Sequence, residues 1–469
     1  MRITRSRLVA ALAAASTLLC AAPALANSSP TEINSAINGG VEYLKSQQNA
    51  DGSFGGVDAF GGEWVLTSLA AAGVAPAGVK HSAGATDART YYRNLIGDTA
   101  TWPGGSEPPV SDYETATLAA YAAGIDPARV SATQNLIAQI VAHYQPSTPG
   151  YYGEPELFNG TVFALLALAD AKTRDGAQRV PQVLLEKTIE VVRHNQHTDG
   201  GWSFAKAEGS SEALASPAEA EFTGATIASL CAAGVPSSDP TIQSAIKYLK
   251  HELDAEPLGS GAFASEFGVN TDTNAWSVEG LNACGIAAQS TEFTTAHGKT
   301  PIDFLISQQL LGGGFQFAPE EGEANLYSTQ DAVRALSGAG FTVAPVKAKK
   351  QPLWVYEKKF STSSSVDAQL TLIINNGTSP LGACAVSLAP ETPTTTLAKV
   401  LEAAESASRP AGCVSAITPV TSRGAITSIN GAPNPPGADW EVVIDGGAEK
   451  RATRATKIEI GDTIYLRLG

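Results

Sequence analysis

A spaced motif that occurs three times constrains the fold of this chain more than any other feature of its sequence. In each copy an apolar helical segment leads to a glutamine, and a glycine and an aromatic residue follow at a fixed spacing. The copies are Tyr43-Leu44-x3-Gln48-x3-Gly52-x-Phe54, Val191-Val192-x3-Gln196-x3-Gly200-x-Trp202 and Phe304-Leu305-x3-Gln309-x3-Gly313-x-Phe315. The copies are separated by close to three and two units of roughly 50 residues, which predicts weaker copies between them.

A second marker supports the same unit. Six Thr- or Ala-rich helical segments end at small residues, and they begin at Trp64, Thr115, Thr161, Thr223, Thr273 and Thr329. Each unit is therefore predicted to be a helix, a turn and a helix, with glycine in a left-handed cap and the aromatic residue folded over the helix end. Because the second helix carries small residues on several faces, it can pack closely on all sides. We expect a mainly α protein in which six helical hairpins close into an α6/α6 toroid with the second helices inside.

The same spacing, extended to Gly40-x-x-Tyr43-Leu44 in the first copy, resembles the repeat of squalene and terpene cyclases and of protein prenyltransferases. The resemblance covers about residues 33–341 and implies the same toroidal fold. It also raises the hypothesis of an enzyme that acts on an isoprenoid.

The N-terminus has the pattern of a secretory signal. Arg2, Arg5 and Arg7 precede an apolar stretch over 8–22, and Ala24-Leu25-Ala26 forms a small-x-small cleavage site. We therefore expect residues 1–26 to be removed after Ala26. The mature protein is predicted to be a soluble bacterial monomer without a membrane span, secreted or periplasmic.

Charge and cysteine content restrict the partners and the compartment. The chain has 46 acidic and 31 basic residues and a net charge of −15, and three of the arginines leave with the signal. Nucleic acid and anionic membranes are therefore not expected as partners. Four cysteines remain after the signal, which in an exported chain predicts two disulfides. We expect Cys231–Cys284, near the ends of consecutive inner helices, and Cys384–Cys413.

The composition changes after a proline-bounded linker at 342–352. The toroid is assigned to 27–341, and 353–469 to a small α+β, β-grasp-like domain. The candidate strands, rich in β-branched residues, are 366–374, 383–388, 440–444 and 464–468, and the candidate helix is 395–404.

A second resemblance concerns this C-terminal part. The segments 426–431, Trp440 to Gly446 and 461–468 look like the C-terminal β domain of transcobalamin and intrinsic factor. That family also has a signal peptide and an α6/α6 barrel before this domain, and it clamps cobalamin between the two. The resemblance implies a ligand site shared by Trp440, Thr427 and Asn430 with the barrel. A corrinoid is a candidate ligand, and no other cofactor is expected. Without a second methionine or a suitable histidine, no protein ligand to cobalt is expected.

Asp272 is the central residue of two competing hypotheses. Asp272-Thr273-Asn274-Ala275 resembles the Asp-Thr-x-Ala run that opens an inner helix near the ligand in transcobalamin-like barrels. The longer string from Asn270 is also the closest match to the Asp-x-Asp-Asp acid of class II cyclases. Since Asn270 and Thr273 replace two of its carboxylates, the acid lacks its usual activating setting. Catalysis is therefore not the favoured hypothesis, although a cyclase with Asp272 as its acid remains the alternative.

A metal site is not expected either. Prenyltransferase chemistry needs Asp, Cys and His on zinc, and the two barrel cysteines have a predicted use in a disulfide. His194 and His197 have metal-like spacing but no third ligand near them in the sequence.

Acidic residues stand at or before the start of most inner helices. Examples are Glu63, Asp112, Glu114, Glu221 and Asp272. Because inner helices of a toroid run parallel, these groups should surround one mouth. Carboxylates at helix N-termini also complement the helix dipole, which is a purely structural explanation.

The favoured function is a secreted, non-catalytic binding protein that holds a small ligand or a peptide between the barrel mouth and the β domain. The predicted binding residues are Asp272, Asn270, Gln330, Asp331, Glu114 and Glu221 of the barrel, with Trp440, Thr427 and Asn430 of the β domain. A binder should have a polar, acid-lined mouth that faces the β domain. A cyclase should have a deep aromatic chamber with an acid at its closed end.

Overall fold

A computed structural model describes residues 27–469, apart from a set of short segments and one longer one. These are 56–61, 106, 132, 146, 149, 155–156, 175–178, 206–216, 256–257, 347–367, 378–380, 390–393, 411–412, 416, 419–423 and 460. The predicted signal, most of the predicted linker and the predicted domain boundary at 353 lie outside the described residues. No helix in the described part of the chain is both long and apolar enough to cross a bilayer.

The described part of the chain before residue 340 forms twelve α-helices in six hairpins. They are α1 (Pro30–Ser46), α2 (Glu63–Ala71), α3 (Ala88–Gly97), α4 (Val110–Ala123), α5 (Leu136–Ala142), α6 (Asn159–Arg174), α7 (Gln182–His194), α8 (Ala220–Ala232), α9 (Pro240–Ala255), α10 (Thr271–Ala283), α11 (Pro301–Ser307) and α12 (Leu326–Leu336). Each even-numbered helix contacts the next even-numbered one, and α12 returns to contact α2. The ring is therefore closed, and the predicted α6/α6 toroid with the second helices inside is confirmed.

In each of the three motif copies, the glutamine joins its hairpin to the next outer segment. Gln196 Nε2 donates to the carbonyl oxygen of Gly200 in its own turn at 2.8 Å and to that of Thr241 at the start of α9 at 2.9 Å. Gln309 bonds the carbonyl oxygens of Gly313 and Ala36 in the same way, at 2.8 and 2.7 Å. Since Ala36 lies on α1, the last of these bonds connects the sixth hairpin to the first.

The glycine and the aromatic residue of the motif have separate structural roles. Gly200 has a φ of +102°, and a Cβ there would overlap the Ser244 carbonyl oxygen on the neighbouring outer helix. Trp202 is fully buried, and its indole nitrogen donates to the Val192 carbonyl oxygen near the end of α7 at 2.8 Å. The aromatic residue thus caps the preceding helix, as the sequence predicts.

The tightest contact in the ring joins α8 and α10. Gly224 and Gly280 face each other there, and a Cβ on Gly280 would overlap the Gly224 carbonyl oxygen. The Cys231–Cys284 disulfide links the C-terminal ends of the same two helices. This disulfide and the Cys384–Cys413 bridge were both predicted, and both are confirmed.

The C-terminal part is a small α+β domain. Its described elements are β1 (Ala368–Asn375), β2 (Gly382–Leu388), β3 (Thr394–Thr396), α13 (Leu397–Ala407), β4 (Ser408–Arg409), β5 (Ile417–Thr418), β6 (Ser428–Ile429), β7 (Ala432–Pro433), β8 (Trp440–Ile444), β9 (Lys450–Arg451), β10 (Lys457–Glu459) and β11 (Thr463–Leu468). The main sheet has the order β4-β2-β1-β11-β8-β9, and β1 runs parallel to β11. Helix α13 packs on this sheet through Leu397, Val400 and Leu401. The predicted β-grasp-like arrangement is confirmed.

The β domain packs against the flank of the ring, on the outer helix α5. Strands β1 and β2 contact α5, and Ile373 and Ala383 of the sheet join the apolar core of the toroid. Gln139 Nε2 on α5 donates to Gln369 Oε1 at 2.9 Å, and Arg129 lies 3.5 Å from Asp462. Because the apolar contacts are buried and are flanked by polar ones, the two parts form one continuous packed unit.

Candidate functional site

A cavity of about 890 Å³ opens at the mouth where the inner helices begin. It is lined by Glu63, Trp64, Tyr91, Leu95, Trp102, Pro103, Ser111, Asp112, Thr115, Phe204, Glu221, Phe267, Asn270, Asp272, Thr273, Trp276, Phe317, Tyr327, Gln330 and Asp331. We call it the mouth cavity. Every one of these residues belongs to the toroid, and they include eight aromatic side chains and five carboxylic acids.

Five of the six barrel residues predicted from the sequence line this cavity: Asp272, Asn270, Gln330, Asp331 and Glu221. Asn270 caps the start of α10 by accepting from the Thr273 N–H at 2.8 Å. Asp272 follows it in the first turn, so the cap fixes where this carboxyl enters the cavity. The side chain of Gln330 is 4% exposed and has no hydrogen-bond partner among the described residues.

Glu114, the sixth predicted barrel residue, is buried in the ring and does not line the mouth cavity. It is fully buried, and neither carboxyl oxygen has a partner in the described structure. Asp112 stands two residues before it on α4 and does line the cavity. Since residues two apart on a helix point in nearly opposite directions, only one of the two can face the mouth. Burial raises the pKa of Glu114 well above its usual range.

The three predicted residues of the β domain do not line the mouth cavity either. Trp440 is 1% exposed and belongs to the core of the β domain. Asn430 lies at the turn between β6 and β7, where its side chain bonds the Ser415 N–H at 2.7 Å and the Cys413 carbonyl oxygen at 2.9 Å. Thr427 precedes β6 in the same small sheet. The short motifs that resemble transcobalamin therefore lie in the core and the turns of the β domain and not at the mouth cavity.

The β domain approaches the mouth through a different residue. A smaller cavity of about 260 Å³ lies between the domains and is lined by Arg409 of β4 together with Tyr113, His143 and Glu154 of the toroid. Ser111, at the start of α4, lines both this cavity and the mouth cavity. The interdomain cleft is therefore a neighbour of the mouth, and Arg409 is the basic residue on its β-domain side.

Aromatic side chains fill the centre of the ring and form the floor of the mouth cavity. The rings of Trp64, Phe163, Trp276 and Phe341 meet there edge to face, with centroids 5.2–6.3 Å apart. Phe341 follows α12, so the end of the last hairpin closes the middle of the ring. The cavity is consequently an open bowl above this cluster.

A buried arginine lies in the same central region. Arg334 is fully buried, with its guanidinium 4.6 Å from the centroid of Trp64. It bonds Asp331 at 2.6 Å and Glu279 at 3.2 Å, and Trp276 Nε1 donates to the second oxygen of Asp331 at 2.9 Å. The charge of Asp331 is thus directed towards the arginine under the cavity floor.

The other acids of the mouth have no such partner. Burial raises the pKa of Glu63 to about 8, and Glu63 Oε2 has no partner in the described structure. Burial, with the charge of Asp331 in addition, raises the pKa of Asp272 to about 7, and its Oδ1 is also unpartnered. Burial raises the pKa of Glu221 in the same way. Glu63 is therefore mostly protonated at neutral pH, and Asp272 is about half protonated.

The sequence interpretation missed most of the aromatic lining. Of the aromatic residues on the inner helices, Trp64 and Trp276 line the cavity, whereas Tyr121 and Phe163 do not. The additional aromatic side chains come from α3, from the connections between helices and from the first turn of α12: Tyr91, Trp102, Phe204, Phe267, Phe317 and Tyr327. A signal was available for Phe267, which stands shortly before the inner helix α10.

A metal centre finds no support in the described residues, among which no group of three His, Cys, Asp or Glu side chains is arranged to hold an ion. His197 Nε2 lies 3.3 Å from the Ser203 hydroxyl, within the turn that follows α7.

The chain matches no known protein family and no curated protein. It is similar to several solved structures. The type II terpene cyclase MstE from Scytonema is 16% identical to this chain. The match covers 66% of this chain and 98% of the cyclase, with a TM-score of 0.44. The structure of haptocorrin in complex with Cbi is 13% identical to this chain. The match covers 95% of this chain and 99% of haptocorrin, with a TM-score of 0.36. A wild-type glycosidase is 14% identical to this chain. The match covers 66% of this chain and 98% of the glycosidase, with a TM-score of 0.42.

Proposed function

We propose that this protein is a secreted binding protein that holds a small ligand in the mouth cavity without a chemical step of its own. The observation that carries the proposal is a pocket of about 890 Å³ lined by polar groups that have no partner among the described residues. Gln330 is almost completely buried beside this space and is unpaired in the described structure, as is one oxygen each of Glu63 and Asp272. Buried polar groups that lack partners in a preformed pocket are typical of a ligand site.

The filled ring centre favours binding over cyclisation. A cyclase must enclose a long hydrocarbon in a dry chamber with its acid at the closed end. Here Trp64, Phe163, Trp276 and Phe341 occupy the centre, and Asp272 lies in the first turn of α10 at the open side. Water can reach the bowl above this floor, and water would intercept a carbocation.

The position of the β domain supports a modified form of the predicted clamp. The domain packs on α5 beside the mouth, and the small cavity with Arg409 adjoins the mouth cavity at Ser111. A ligand too large for the bowl would extend over Ser111 towards Arg409. The two disulfides fit an extracellular protein, in agreement with the predicted signal peptide.

The decisive experiment is native mass spectrometry of the protein recovered from the medium of its natural source. We expect a bound small molecule that is retained by the wild type and reduced in Gln330→Ala and Asp272→Asn. Losing a hydrogen bond to a charged group should weaken binding by about 1.5–3 kcal/mol in the aspartate variant. The matched controls are Gln243→Ala and Asp254→Asn on the exposed face of α9. Equal retention in the site and control variants would contradict the proposal.

A corrinoid is one candidate ligand, suggested by the resemblance of the sequence to transcobalamin. Titration with cobalamin and with cobinamide tests it directly, because binding changes the corrinoid absorption spectrum or releases heat. The absence of both signals would reject corrinoids and leave other small ligands open.

Cyclase activity is the second candidate, and one observation favours it. Asp272 has a pKa of about 7 beside Trp276, so part of it is a carboxylic acid near neutral pH among aromatic side chains. Incubation with a geranylgeranyl substrate and analysis of the products tests this candidate. A cyclic product that disappears in Asp272→Asn would establish the enzyme in place of the binder.

A further inference from the structure

The mouth cavity has a one-sided charge. Its lining contains five carboxylic acids, and none of the described residues that line it is a lysine, an arginine or a histidine. Arg334 lies beneath the floor, where Asp331 and Glu279 already bond it. Among the described residues no basic side chain bonds Glu63, Glu221 or Asp272, whereas Arg334 bonds Asp331 and His143 partly offsets the effect of burial on the pKa of Asp112.

The unpartnered polar atoms of the acids are all acceptors of hydrogen bonds once ionised. They are Glu63 Oε2, Glu221 Oε2 and Asp272 Oδ1, each buried and without a partner in the described structure. Glu63 is only 6% exposed, so this oxygen has lost its water without gaining a donor. The unpaired Gln330 side chain lies in the same lining and offers a further carbonyl acceptor. Such a set needs a ligand that donates or carries positive charge.

Aromatic rings and apolar residues surround these acceptors. Trp276 belongs to the floor and Phe317 lines the wall, while Phe267 and Tyr327 line the rim and remain 67% and 39% exposed. All five large apolar or aromatic side chains that are exposed in the described structure lie in connections that lead into inner helices or in their first turns: Leu157, Leu258, Phe267, Leu311 and Tyr327. Two of them, Phe267 and Tyr327, line the mouth cavity, which therefore has an apolar rim beside its acids.

We propose that the mouth cavity is a receptor for an organic cation, in which an ammonium or amidinium group sits among Glu63, Glu221 and Asp272 and an apolar body lies against the aromatic rim. Carboxylates and aromatic faces together are the usual surroundings of such a cation in proteins. The inference rests on the proposed binding function and specifies the class of ligand.

Binding of a cation should release protons. Glu63 faces the Tyr92 hydroxyl and the carboxyl of Asp112, and Asp272 faces Asp331, Glu221 and, below them, Arg334. The Tyr92 hydroxyl favours the carboxylate form of Glu63, and Ser328 and Arg334 favour that of Asp272, but burial outweighs them and keeps both pKa values high. A cation at this position favours the carboxylate, so the bound state holds fewer protons than the free state. Cation binding is therefore tighter at pH 8.5 than at pH 6.

Choline and its uncharged isostere 3,3-dimethylbutan-1-ol separate charge from shape, and benzyltrimethylammonium adds an apolar body. Isothermal titration in two buffers of different ionisation enthalpy measures affinity and proton release together. We expect both cations to bind with proton release, benzyltrimethylammonium more tightly than choline, and choline at least about tenfold more tightly than the alcohol at pH 8.5. Raising the pH from 6 to 8.5 should increase the affinity of the two cations and leave that of the alcohol unchanged.

Two variants locate the effect. Asp272→Asn and Glu63→Gln keep the shape of the cavity, and each should weaken benzyltrimethylammonium at least about fivefold at pH 8.5 and reduce the released protons. Asp254→Asn on α9 should leave both readouts unchanged. Circular dichroism and a thermal melt establish that the variants are folded.

The results distinguish this inference from the broader proposal. If the alcohol binds as tightly as choline, or if neither cation binds, the cation receptor is wrong. A neutral molecule found in the cavity by native mass spectrometry would then leave the binding function intact. If cations bind but Asp272→Asn and Glu63→Gln behave like Asp254→Asn, the site is elsewhere and the inference fails.

Discussion

The centre of the ring and the mouth cavity directly above it both hold carboxylic acids out of water, and they differ in whether a cation accompanies them. In the centre, Arg334 bonds Asp331 and Glu279, and Trp276 adds a further donor. In the mouth, Glu63 and Asp272 each keep a buried oxygen without a partner in the described structure. The two groups of acids therefore differ in having an arginine partner, although burial also raises the pKa of Glu279 to about 8 and leaves its Oε1 without a partner in the described structure.

The difference separates stabilisation from recognition. A buried charge that is paired and hydrogen-bonded is costly to interrupt, because the remaining partner stays buried without compensation. A buried acid without a partner raises the energy of the folded protein instead, and a ligand can recover that energy. Removing the arginine from the central acids should therefore destabilise the folded protein, whereas neutralising a mouth acid should stabilise it.

The largest expected effect comes from removing the cation of the centre. Arg334→Met leaves Asp331 and Glu279 buried without their partner, and we expect a loss of about 3–5 kcal/mol in the free energy of unfolding. Urea denaturation followed by circular dichroism measures it. A loss below about 1 kcal/mol would mean that the central acids are neutral and need no arginine.

The next effect concerns Trp276, which belongs to both regions. Trp276→Phe keeps an aromatic ring in the floor and removes the N–H that donates to Asp331 Oδ2 at 2.9 Å. We expect a loss of about 1.5–3 kcal/mol, typical of a hydrogen bond to a charged group. As a control, Phe317→Leu changes the cavity wall outside this network and should affect stability less, in the same urea series. Equal losses in the two variants would show that packing of the aromatic side chain, and not the indole N–H, determines the stability at this position.

A mouth acid should behave in the opposite way, and only at higher pH. Burial raises the pKa of Glu63 from 4.5 to about 8, so the folded protein keeps this proton over a range in which the unfolded chain has lost it. Below pH 4.5 both states are protonated and Glu63→Gln should match the wild type. As the pH rises towards 8 the wild type loses stability relative to the variant, and we expect the variant to be more stable by about 1–3 kcal/mol at pH 8.

Thermal or urea unfolding at pH 4 and pH 8 measures this difference. The matched control is Glu186→Gln on the exposed side of α7, which should show no such pH dependence. A variant less stable than the wild type at pH 8 would mean that Glu63 is ionised and paired in the fold.

The smallest expected change in the free energy of unfolding concerns an exposed ion pair. Arg193 and Asp239 form an ion pair at 2.7 Å, with 43% of the arginine side chain exposed. Arg193→Met should cost only about 0.2–1 kcal/mol, and the loss should shrink in high salt. Urea denaturation at low and high salt measures it. An effect as large as that of Arg334→Met would remove the distinction between buried and exposed pairs.

Local sequence patterns predicted the toroid because the signals that build each hairpin are close together in the chain. Gln309, Gly313 and Phe315 lie within one turn, and their spacing follows from the geometry of a helix end. The Cys231–Cys284 pair was predictable for a similar reason, since consecutive inner helices in a closed ring must be neighbours, and Cys384 with Cys413 was the pair left for the second domain. Asp272 and Gln330 were identified because they stand in or near the first turn of an inner helix, and all such turns meet at one mouth.

The rest of the site required the tertiary structure. Asp112 and Glu114 are equivalent in the sequence, but packing of α4 between its neighbours decides that only Asp112 reaches the mouth. The aromatic wall comes largely from α3 and the connections, whose paths no periodicity specifies. Trp440 was predicted to face a ligand, whereas the hydrophobic core of its own domain buries it.

The sequence by itself determined six hairpins, their closure, two disulfides and an acid-rich mouth, because each depends on local spacing or on the parallel order of repeated helices. Only the tertiary structure decided that Arg334 pairs with the central acids, that Phe341 closes the ring centre and that the β domain packs on α5 beside the mouth. These features join residues far apart in the chain, and their energies come from burial and from charges brought together by the closed ring. No local pattern contains that information.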